Sequence, residues 1–287
     1  MSSTPPRSDR EFQLTDADFE RVRKLIYDHA GIALAPIKRD MVYSRLARRL
    51  RALELQNFAD YLRILEGGDE KEWETFVNSL TTNLTYFFRE NHHFEILARH
   101  MREHPARPYR IWCSAASTGE EPYSLAMTAC ETFDTLAPPV EIYASDIDTN
   151  VLATAAKGVY GMDRVEKLSD VRLRRFFLKG SGGNAGQVRV RDDLRRLIEF
   201  RRINLLDRAY PLEGRFDALF CRNVMIYFDK PTQYAILERF RPLVKEGGLL
   251  FAGHSESFMH AATLFRSLGR TVYAPVETSA SAKGARS

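Results

Sequence analysis

The sequence predicts an α/β fold: a small all-helical N-terminal domain, then a doubly wound α/β domain that carries a small antiparallel β-subdomain. Three observations support this fold class. Up to about residue 82, apolar residues recur at helical spacing. From about residue 108, short apolar runs alternate with helical patterns, which is typical of a parallel sheet covered by helices. Within that part, a glycine-rich turn at residues 180–186 splits apolar segments, which indicates antiparallel strands.

The predicted boundaries follow changes in pattern and composition. Both ends of the chain are small, polar and without periodicity, so we expect disordered tails there. The predicted segments are a tail at 1–11, a helical domain at 12–82, a linker and helix at 83–107, an α/β domain at 108–276 with its β-subdomain at about 176–200, and a tail at 277–287.

Four helices are predicted in the N-terminal domain. Thr15 is a typical helix-capping residue, apolar residues follow it at helical spacing, and Gly31 suits the end of this first helix. A second helix runs from about residue 38 to 53, Asn57 caps a third, and residues 70–80 have the pattern of a fourth.

The formal net charge of +4 is spread unevenly, because cations crowd the second predicted helix. They are Lys38, Arg39, Arg45, Arg48, Arg49 and Arg51. Such a cluster favours an anionic partner, and nucleic acid, an acidic protein or a membrane surface would each fit. A solvated basic face without a partner is the alternative interpretation.

The second domain contains four apolar runs that predict strands and three helical patterns between and after them. The strands are expected at 110–113, 140–144, 216–221 and 248–252, and the helices at 121–133, 150–156 and 232–244. The apolar segments at 176–178, 187–190 and 197–200 are assigned to the antiparallel β-subdomain. In a doubly wound sheet, ligands bind outside the carboxyl ends of the strands.

Neither cysteine spacing nor hydropathy points to a disulfide framework, a metal site or a membrane span. Cys113, Cys130 and Cys221 lie far apart in apolar stretches, which predicts buried free thiols. No run approaches the roughly 18 apolar residues of a membrane helix, and the N-terminus lacks a signal-peptide core. We therefore expect a cytoplasmic location.

The turn after the first predicted strand combines small residues with two carboxylates. Residues 114–119 allow a ligand to approach the backbone closely, but Gly119 is the one glycine among them. Glu120 and Glu121 follow at a helix start, where they would repel a pyrophosphate and could hold an ammonium group. This favours S-adenosylmethionine over NAD as the cofactor. Ordinary acidic residues at a helix N-terminus remain the alternative.

Further polar residues follow the later strands. Asp146 ends the second strand, where a carboxylate can accept hydrogen bonds from ribose hydroxyls, although a turn or cap role is equally compatible. Asp148 is better explained as a helix cap. Asn204 and Asn223 follow two more strands, and an adenine edge or a carboxylate could partner them, with a simple turn role as the alternative. Their shared position at strand ends strengthens the ligand interpretation.

The segment between the domains, residues 81–90, is rich in side-chain donors and aromatics where a plain linker would contain Gly, Ser or Pro. Packing of its aromatic residues between the domains would explain Tyr86, Phe87 and Phe88. We expect the polar side chains of this segment to face a cleft; they are Asn83, Thr85 and Arg89.

Taken together, these motifs resemble the CheR-type chemotaxis receptor methyltransferases over nearly the whole chain, from about residue 12 to 275. Four sequence words in the same order carry the resemblance. They are TNLTYFFRE at 82–90, AASTGEEPYS at 115–124, ASDID at 144–148 and CRNVMIYF at 221–228.

The resemblance implies a Rossmann-like methyltransferase domain with an inserted β-subdomain, S-adenosylmethionine as methyl donor and S-adenosylhomocysteine as product. It implies that the acceptor is the side-chain carboxylate of glutamate in a chemotaxis receptor. The residues implied at the cofactor are Asn83, Thr85, Arg89, Ala115, Glu121, Asp146, Asn204, Leu205, Arg222 and Asn223. Aligning Gly119 with the last glycine of the usual methyltransferase loop places Ala115 at the first, and favours Glu121 over Glu120 for the ammonium.

A glutamate acceptor is already ionised at pH 7, so its attack on the methyl group requires no general base. The expected catalytic residues are accordingly Arg89, which could pair with a carboxylate, and Tyr227, whose hydroxyl could orient the acceptor. Positioning of this kind contributes on the order of 7–11 kcal/mol in favourable cases.

The resemblance also implies the partner, a receptor whose methylated helices are rich in glutamate. The basic helix, with Lys38, Arg39, Arg45, Arg48 and Arg49, would dock on them, and the β-subdomain could hold a peptide at the receptor's C-terminus. Membrane contact is expected only through the receptor.

The sequence argues against three other functions. A nucleic-acid methyltransferase would fit the basic helix, but the Asp/Asn-Pro-Pro-aromatic and Pro-Cys motifs of such enzymes are absent from the sequence, and no nucleic-acid partner is expected. A sensor that binds the cofactor without catalysis is opposed by the presence of Arg89 and Tyr227. A dinucleotide oxidoreductase lacks its phosphate-binding glycines.

Overall fold

The computed structural model describes residues 10–81, 84–104 and 108–277. The chain divides into two compact units, with the division between Asn83 and Leu84. Across the described ranges, none of the helices combines the length and apolar character needed to span a membrane.

Within residues 10–81, the described part of the first unit, the chain forms four α-helices, as the sequence predicts. They are α1 (Asp16–Ala30), α2 (Arg39–Ala52), α3 (Phe58–Glu66) and α4 (Glu70–Leu80). The predicted ends of α1 are confirmed: the Thr15 hydroxyl accepts a hydrogen bond from the Asp18 backbone N–H at 3.0 Å, and Gly31 has a left-handed φ of 67°. Asn57 caps α3 in the same way, by accepting from the Asp60 N–H at 2.9 Å.

Apolar faces of the four helices form the core of this unit. Their buried side chains include Val22, Ile26, Val42, Leu46, Leu50, Tyr61, Leu62 and Phe76. The buried carboxylate Glu72 lies beside them: from α4 it accepts hydrogen bonds from the partly buried Arg49 on α2 and, at 2.8 Å, from the Tyr61 hydroxyl. This group ties three helices together.

The second unit is an α/β domain. Its helices are α5 (His92–Glu103), α6 (Glu120–Thr132), α7 (Thr149–Lys157), α8 (Met162–Val165), α9 (Asp170–Phe176), α10 (Asp192–Arg195) and α11 (Lys230–Phe240). Its strands are β1 (Tyr109–Cys113), β2 (Val140–Asp146), β3 (Val159–Gly161), β4 (Phe177–Lys179), β5 (Gln187–Val190), β6 (Ile198–Arg202), β7 (Phe216–Cys221), β8 (Val244–Ala252), β9 (Phe265–Gly269) and β10 (Val272–Pro275).

Seven strands form the main sheet in the order β6-β2-β1-β7-β8-β10-β9. The first five are parallel, and the β9–β10 hairpin adds an antiparallel edge. Because β1 lies between β2 and β7, the connections after β1 and β7 leave the sheet in opposite directions. The crevice between these two connections is where a doubly wound sheet binds its ligand.

Apolar layers cover both faces of the main sheet. Along β1, Ile111 and Cys113 contribute to one buried cluster, whereas Trp112 contributes to the other, beside Phe216 and Phe240. This alternation is that of a strand buried on both faces, which confirms the doubly wound fold. All three cysteines are buried free thiols, as the sequence predicts.

A separate antiparallel sheet has the strand order β3-β5-β4. The assignment of residues 197–200 to this β-subdomain was wrong, because β6 pairs in parallel with β2 and Ile142 lies opposite Ile198. A short apolar run does not reveal its partner strand, which is set by distant residues. The third strand is instead β3, which is too short to have a recognisable sequence pattern.

Candidate active site

Polar residues collect at the carboxyl ends of the parallel strands. Ala115 and Glu121 follow β1, Asp146 ends β2, and Arg222 and Asn223 follow β7. The other predicted site residues at this edge are Asn204 and Leu205, which follow β6, while Asn83 lies outside the described residues. The strand order therefore brings the predicted positions to one edge of the sheet, around the crevice between β1 and β7.

The loop after β1 is held in a tight path. Gly119 has a φ of 100°, and a Cβ there would lie 2.6 Å from the Tyr160 hydroxyl. That hydroxyl donates to the Thr118 carbonyl at 2.7 Å. Ser117 also has a positive φ of 48°, and its buried Oγ has no hydrogen-bond partner among the described residues. A strained loop with an unused polar atom is typical of a ligand-binding turn.

The two carboxylates at the start of α6 have different partners. Glu120 is fully buried and is bound by Arg164 of α8 and by the Thr118 hydroxyl, the latter at 2.7 Å. Glu121 accepts from Arg222 Nη1 at 2.8 Å and from the Cys113 thiol at 3.3 Å. Burial raises the pKa of Glu121, and the neighbouring Arg222 opposes that rise. Glu120 is thus bound by Arg164 of α8. Glu121 instead belongs to the polar group at the crevice.

Asp146 joins the end of β2 to the loop after β1. Its carboxylate accepts hydrogen bonds from the Ser117 N–H at 2.9 Å and from the Asp148 N–H at 3.1 Å. Burial raises its pKa, and these backbone donors oppose the rise by stabilising the charged form. The predicted capping role of Asp148 is confirmed, because its side chain accepts from the Asn150 N–H at 2.8 Å.

Asn204 and Leu205 form hydrogen bonds within their own part of the fold. The Asn204 side chain accepts from the Leu206 N–H at 3.0 Å, which is the turn interaction expected of an asparagine here. The Leu205 carbonyl accepts from the Tyr210 hydroxyl at 2.8 Å and from Arg239 at 2.9 Å. Their role at the cofactor stays a prediction.

Arg222 is the centre of the polar group at the crevice. Its side chain is fully buried, and it contacts Glu121, the Arg89 carbonyl and, at 3.4 Å, Glu90 Oε2. Asn223, with a positive φ of 60°, donates through its backbone N–H to Glu256 at 2.9 Å and through Nδ2 to Glu90 Oε1 at 3.4 Å. The 3-10 turn Met225–Tyr227, which bears Tyr227, follows directly.

The segment at residues 84–90 belongs to the second unit and lies over these groups. Phe87 packs edge-on against Tyr160 and Phe177, and the Phe88 N–H donates to the Ser124 hydroxyl at 3.0 Å. The aromatic residues Phe87 and Phe88 therefore pack on the α/β domain. Thr85 accepts from Arg164 through its carbonyl at 3.2 Å.

Arg89 is half-buried in this segment. Its guanidinium donates to the Leu84 carbonyl at 2.6 Å and lies 5.8 Å from the centre of the Tyr86 ring. Its own carbonyl accepts from Arg222. Arg89 thus contacts the polar group through its backbone.

Three residues of the site were not identified from the sequence: Glu90, Arg164 and Glu256. Glu90 and Glu256 hold Asn223 by its side chain and its backbone, and Arg164 holds Glu120. Glu90 ends the sequence word TNLTYFFRE and directly follows Arg89. This position could have identified it as a site residue. The sequence around Arg164 and Glu256 contains no pattern that predicts a role at the site.

The cations of α2 divide into two groups. Arg39 pairs with Asp16 at 2.7 Å, Arg45 donates to the Ser79 and Thr81 carbonyls, and Arg49 pairs with buried Glu72. Lys38, which directly precedes α2, and Arg48 are exposed, and Arg51 is exposed and pairs with Glu11 at 2.8 Å. The structural contacts of the first group weaken the view that the whole cluster is a docking surface.

The site fits a ligand that is cationic at one end and nucleoside-like at the other. Carboxylates stand where a phosphate-binding loop would place glycines, an acidic residue ends β2, and a buried serine hydroxyl has no partner among the described residues. Glu121 and Asp146 are carboxylates at this edge of the sheet that could bind an ammonium group and ribose hydroxyls, respectively. Fold and site together define the class of protein as an S-adenosylmethionine-dependent methyltransferase.

Comparison with known proteins identifies the family. Residues 83–274 match the family model described as the CheR methyltransferase, SAM binding domain, and residues 17–81 match the CheR methyltransferase, all-alpha domain. The chain belongs to the CheR methyltransferase family. It is an enzyme whose methyl donor is S-adenosylmethionine.

Three relatives from other bacteria match this chain over most of their length. The chain is 53% identical over 276 residues to "Chemotaxis protein methyltransferase 2" of Pseudomonas aeruginosa, which covers 95% of this chain and 98% of that one. It is 53% identical over 262 residues to "Chemotaxis protein methyltransferase" of Escherichia coli, covering 91% of each. A "Probable chemotaxis protein methyltransferase" of Rhizobium etli is 39% identical over 258 residues, covering 87% of this chain and 96% of that one.

Proposed function

We propose that this enzyme transfers the methyl group of S-adenosylmethionine to glutamate side chains of chemotaxis receptors, giving glutamate methyl esters and S-adenosylhomocysteine. The names of the relatives support the role in chemotaxis. The observation that carries the chemistry is the polar group at the crevice, in which Arg222 joins Glu121 to the segment at residues 84–90. We further propose that the enzyme acts in the cytoplasm and reaches the membrane only through its receptor.

The reaction requires alignment rather than proton transfer. S-adenosylmethionine, when bound, supplies a methyl group that is electrophilic because it is attached to a sulfonium. A glutamate acceptor is ionised at neutral pH, so the protein must orient it and remove water from it. Tyr227 is suited to orient the acceptor, because Glu256 and Glu90 hold the preceding Asn223 in place. Arg89 is suited to pair with a carboxylate, of the acceptor or of the methyl donor.

Docking of the receptor is assigned mainly to Lys38 and Arg48, the exposed cations of the predicted set. They would attract a glutamate-rich helix electrostatically. Arg39, Arg45 and Arg49 are bonded to other residues of the first unit. These contacts hold α2, which carries Arg48, in place.

The β-subdomain offers a second contact for the receptor. Its strands β3 and β4 are the edges of the three-stranded sheet, and Leu178 on β4 is exposed. An edge strand can pair with an extended peptide, so a C-terminal segment of the receptor could add to this sheet as a tether.

Methyl transfer can be tested directly. The protein is incubated with tritiated S-adenosylmethionine and membranes that contain a receptor encoded by the same organism. We expect label in the receptor that is released as methanol by mild base, which is the behaviour of a glutamate methyl ester. Label that resists base would indicate an N-methylated product and overturn the proposed acceptor, and unlabelled receptor would overturn the proposed partner.

A further inference from the structure

Glu90 is largely buried among the polar residues of the site, beside residues proposed to act in the reaction. Its side chain is 10% exposed. Oε1 accepts from the backbone N–H of His254 at 3.2 Å, from the ring of His254 at 3.1 Å and from Asn223 Nδ2 at 3.4 Å. Oε2 lies 3.4 Å from Arg222 and 3.6 Å from His93. One carboxylate therefore contacts both polar residues at the end of β7.

The backbone of this segment is strained where Glu90 lies. Phe88 and Glu90 both have a positive φ, 56° and 57°, which costs a non-glycine residue on the order of 1 kcal/mol or more. The Arg89 carbonyl between them accepts a hydrogen bond from Arg222. Strain of this kind persists where surrounding contacts fix it, and it is concentrated at functional sites.

Glu90, Arg222 and Glu121 form a row of alternating charge. Burial would raise the pKa of Glu90, but Arg222 and the hydrogen bonds from His254 hold it at about 2, so Glu90 is ionised. Burial and Arg222 lower the pKa of His93 to about 4, so this neighbouring ring is neutral at pH 7. Two carboxylates thus share one guanidinium, and with Glu121 ionised the three side chains sum to one negative charge.

This sharing matters for Glu121. Arg222 donates to Glu121 through Nη1, whereas its Nη2 bonds the Arg89 carbonyl and faces Glu90. Arg222 keeps Glu121 ionised, and the like charge of Glu90 raises the pKa of Glu121. What Glu90 contributes is a second negative charge beside the guanidinium, which makes the potential of the whole group more negative toward a bound ammonium. Without the charge of Glu90, Arg222 would neutralise Glu121.

We propose that Glu90 is a positioning residue for methyl transfer: it holds Arg222 and Asn223 and keeps the amino-acid end of the cofactor site negative. It acts through Arg222 on Glu121, and it selects for ligands that carry positive charge. The inference rests on the proposed position of the cofactor's ammonium at Glu121. It is independent of which protein accepts the methyl group.

Three ligands of decreasing positive charge test this role by calorimetry on the full chain without receptor. S-adenosylmethionine carries a sulfonium, an ammonium and a carboxylate, S-adenosylhomocysteine carries the ammonium and the carboxylate, and 5′-methylthioadenosine carries none of the three. For Glu90→Gln we expect the Kd to rise about tenfold for the first, severalfold for the second and less than about twofold for the third. The matched control is Glu95→Gln, the same substitution at an exposed position on α5, which should leave all three unchanged.

Glu90→Asp keeps the charge with a shorter side chain, so it should restore the order of preference among the three ligands even where all bind more weakly. Equal losses for the three ligands in Glu90→Gln would overturn the proposal and leave Glu90 a purely structural residue. Unchanged binding would overturn it as well. If Glu90→Gln does not fold, loss of the preference for charged ligands in Glu90→Asp contradicts the proposal, and its retention supports it. A failure of receptor methylation by the wild-type protein would affect the proposed function and leave this binding test intact.

Discussion

Each of the two units contains an arginine paired with a largely buried carboxylate, and the two arrangements differ in the number of carboxylates for each arginine. In the first unit, one Arg49 meets one Glu72, and the Tyr61 hydroxyl completes the hydrogen bonds of that carboxylate. In the second unit, one Arg222 is shared by Glu90 and Glu121, and Glu90 Oε2 and Arg222 Nε have no hydrogen-bond partner among the described residues. A balanced, fully bonded pair fits a structural role, and an unbalanced group with unused atoms fits a binding role. Substitutions in the two groups should therefore change different properties.

The largest effect is expected at the balanced pair. Glu72→Ala leaves the Arg49 guanidinium partly buried without its partner, which should lower the free energy of unfolding by about 3 kcal/mol. Hydrogen exchange of α2, α3 and α4 during urea unfolding would measure this. The control is Glu66→Ala, which removes the carboxylate of an exposed pair with Arg21 and should cost less than about 1 kcal/mol. Similar losses in both variants would contradict the structural role of the buried pair.

Substitutions in the group formed by Arg222, Glu90 and Glu121 should weaken binding of S-adenosylmethionine more than they lower the free energy of unfolding. Glu121→Gln should raise the Kd for S-adenosylmethionine about thirtyfold, or about 2 kcal/mol, because it removes the charge nearest the proposed ammonium position. Glu120→Gln should instead destabilise the fold, since Glu120 is fully buried with Arg164 as its ion-pair partner. Calorimetry and urea unfolding on both variants decide between the two carboxylates. A larger binding loss in Glu120→Gln would reverse the assignment.

A substitution at Tyr227, four residues after Asn223, should lower kcat without weakening the binding of S-adenosylmethionine. Tyr227→Phe removes a hydroxyl proposed to orient the acceptor, so kcat should fall about tenfold while the Kd for S-adenosylmethionine changes less than about twofold. Initial rates with receptor-containing membranes and calorimetry provide the two values. Tyr234→Phe, on α11, is a matched control that should leave both unchanged. Equal losses of binding and turnover in Tyr227→Phe would exclude the orienting role.

The smallest effect is expected from cations outside both buried groups. The double substitution Lys38→Gln and Arg48→Gln should raise KM for the receptor about fivefold at low salt, and the difference from the wild type should shrink as salt increases. Affinity for S-adenosylmethionine should not change. Lys24→Gln and Arg63→Gln, on α1 and α3, remove the same charges from other exposed positions and serve as the control. An equal rise of KM in the control would show attraction by net charge rather than docking on α2.

Local sequence signals predicted the elements whose determinants are local. Thr15, Asn57 and Asp148 cap the helices that they were expected to cap, because the hydrogen bond that defines each cap spans two or three residues. Strand pairing is different. Residues 197–200 were assigned to the wrong sheet because the partner of β6 is β2, more than fifty residues away along the chain.

The same distinction explains which site residues were found. The strand ends were predicted because each follows an apolar run, and the order of the strands collects them at one edge. Glu256 and Arg164 were missed because their partners, Asn223 and Glu120, are 33 and 44 residues away in sequence. The division of the α2 cations into bonded and exposed groups was equally hidden, since the partner of Arg49 lies 23 residues away on α4.

Tyr160 and Arg164 bond to the loop after β1 and to the start of α6, and this affects how the β-subdomain could be exchanged between proteins. Tyr160 on β3 and Arg164 on α8 belong to the stretch that contains the β-subdomain, yet they bond Thr118 and Glu120. Replacing the β-subdomain from its first strand, β3, onward would therefore remove contacts that fix the loop after β1 and the start of α6. A chimera that takes the β-subdomain of another family member should keep residues 159–165 of the host and join the donor segment after Val165.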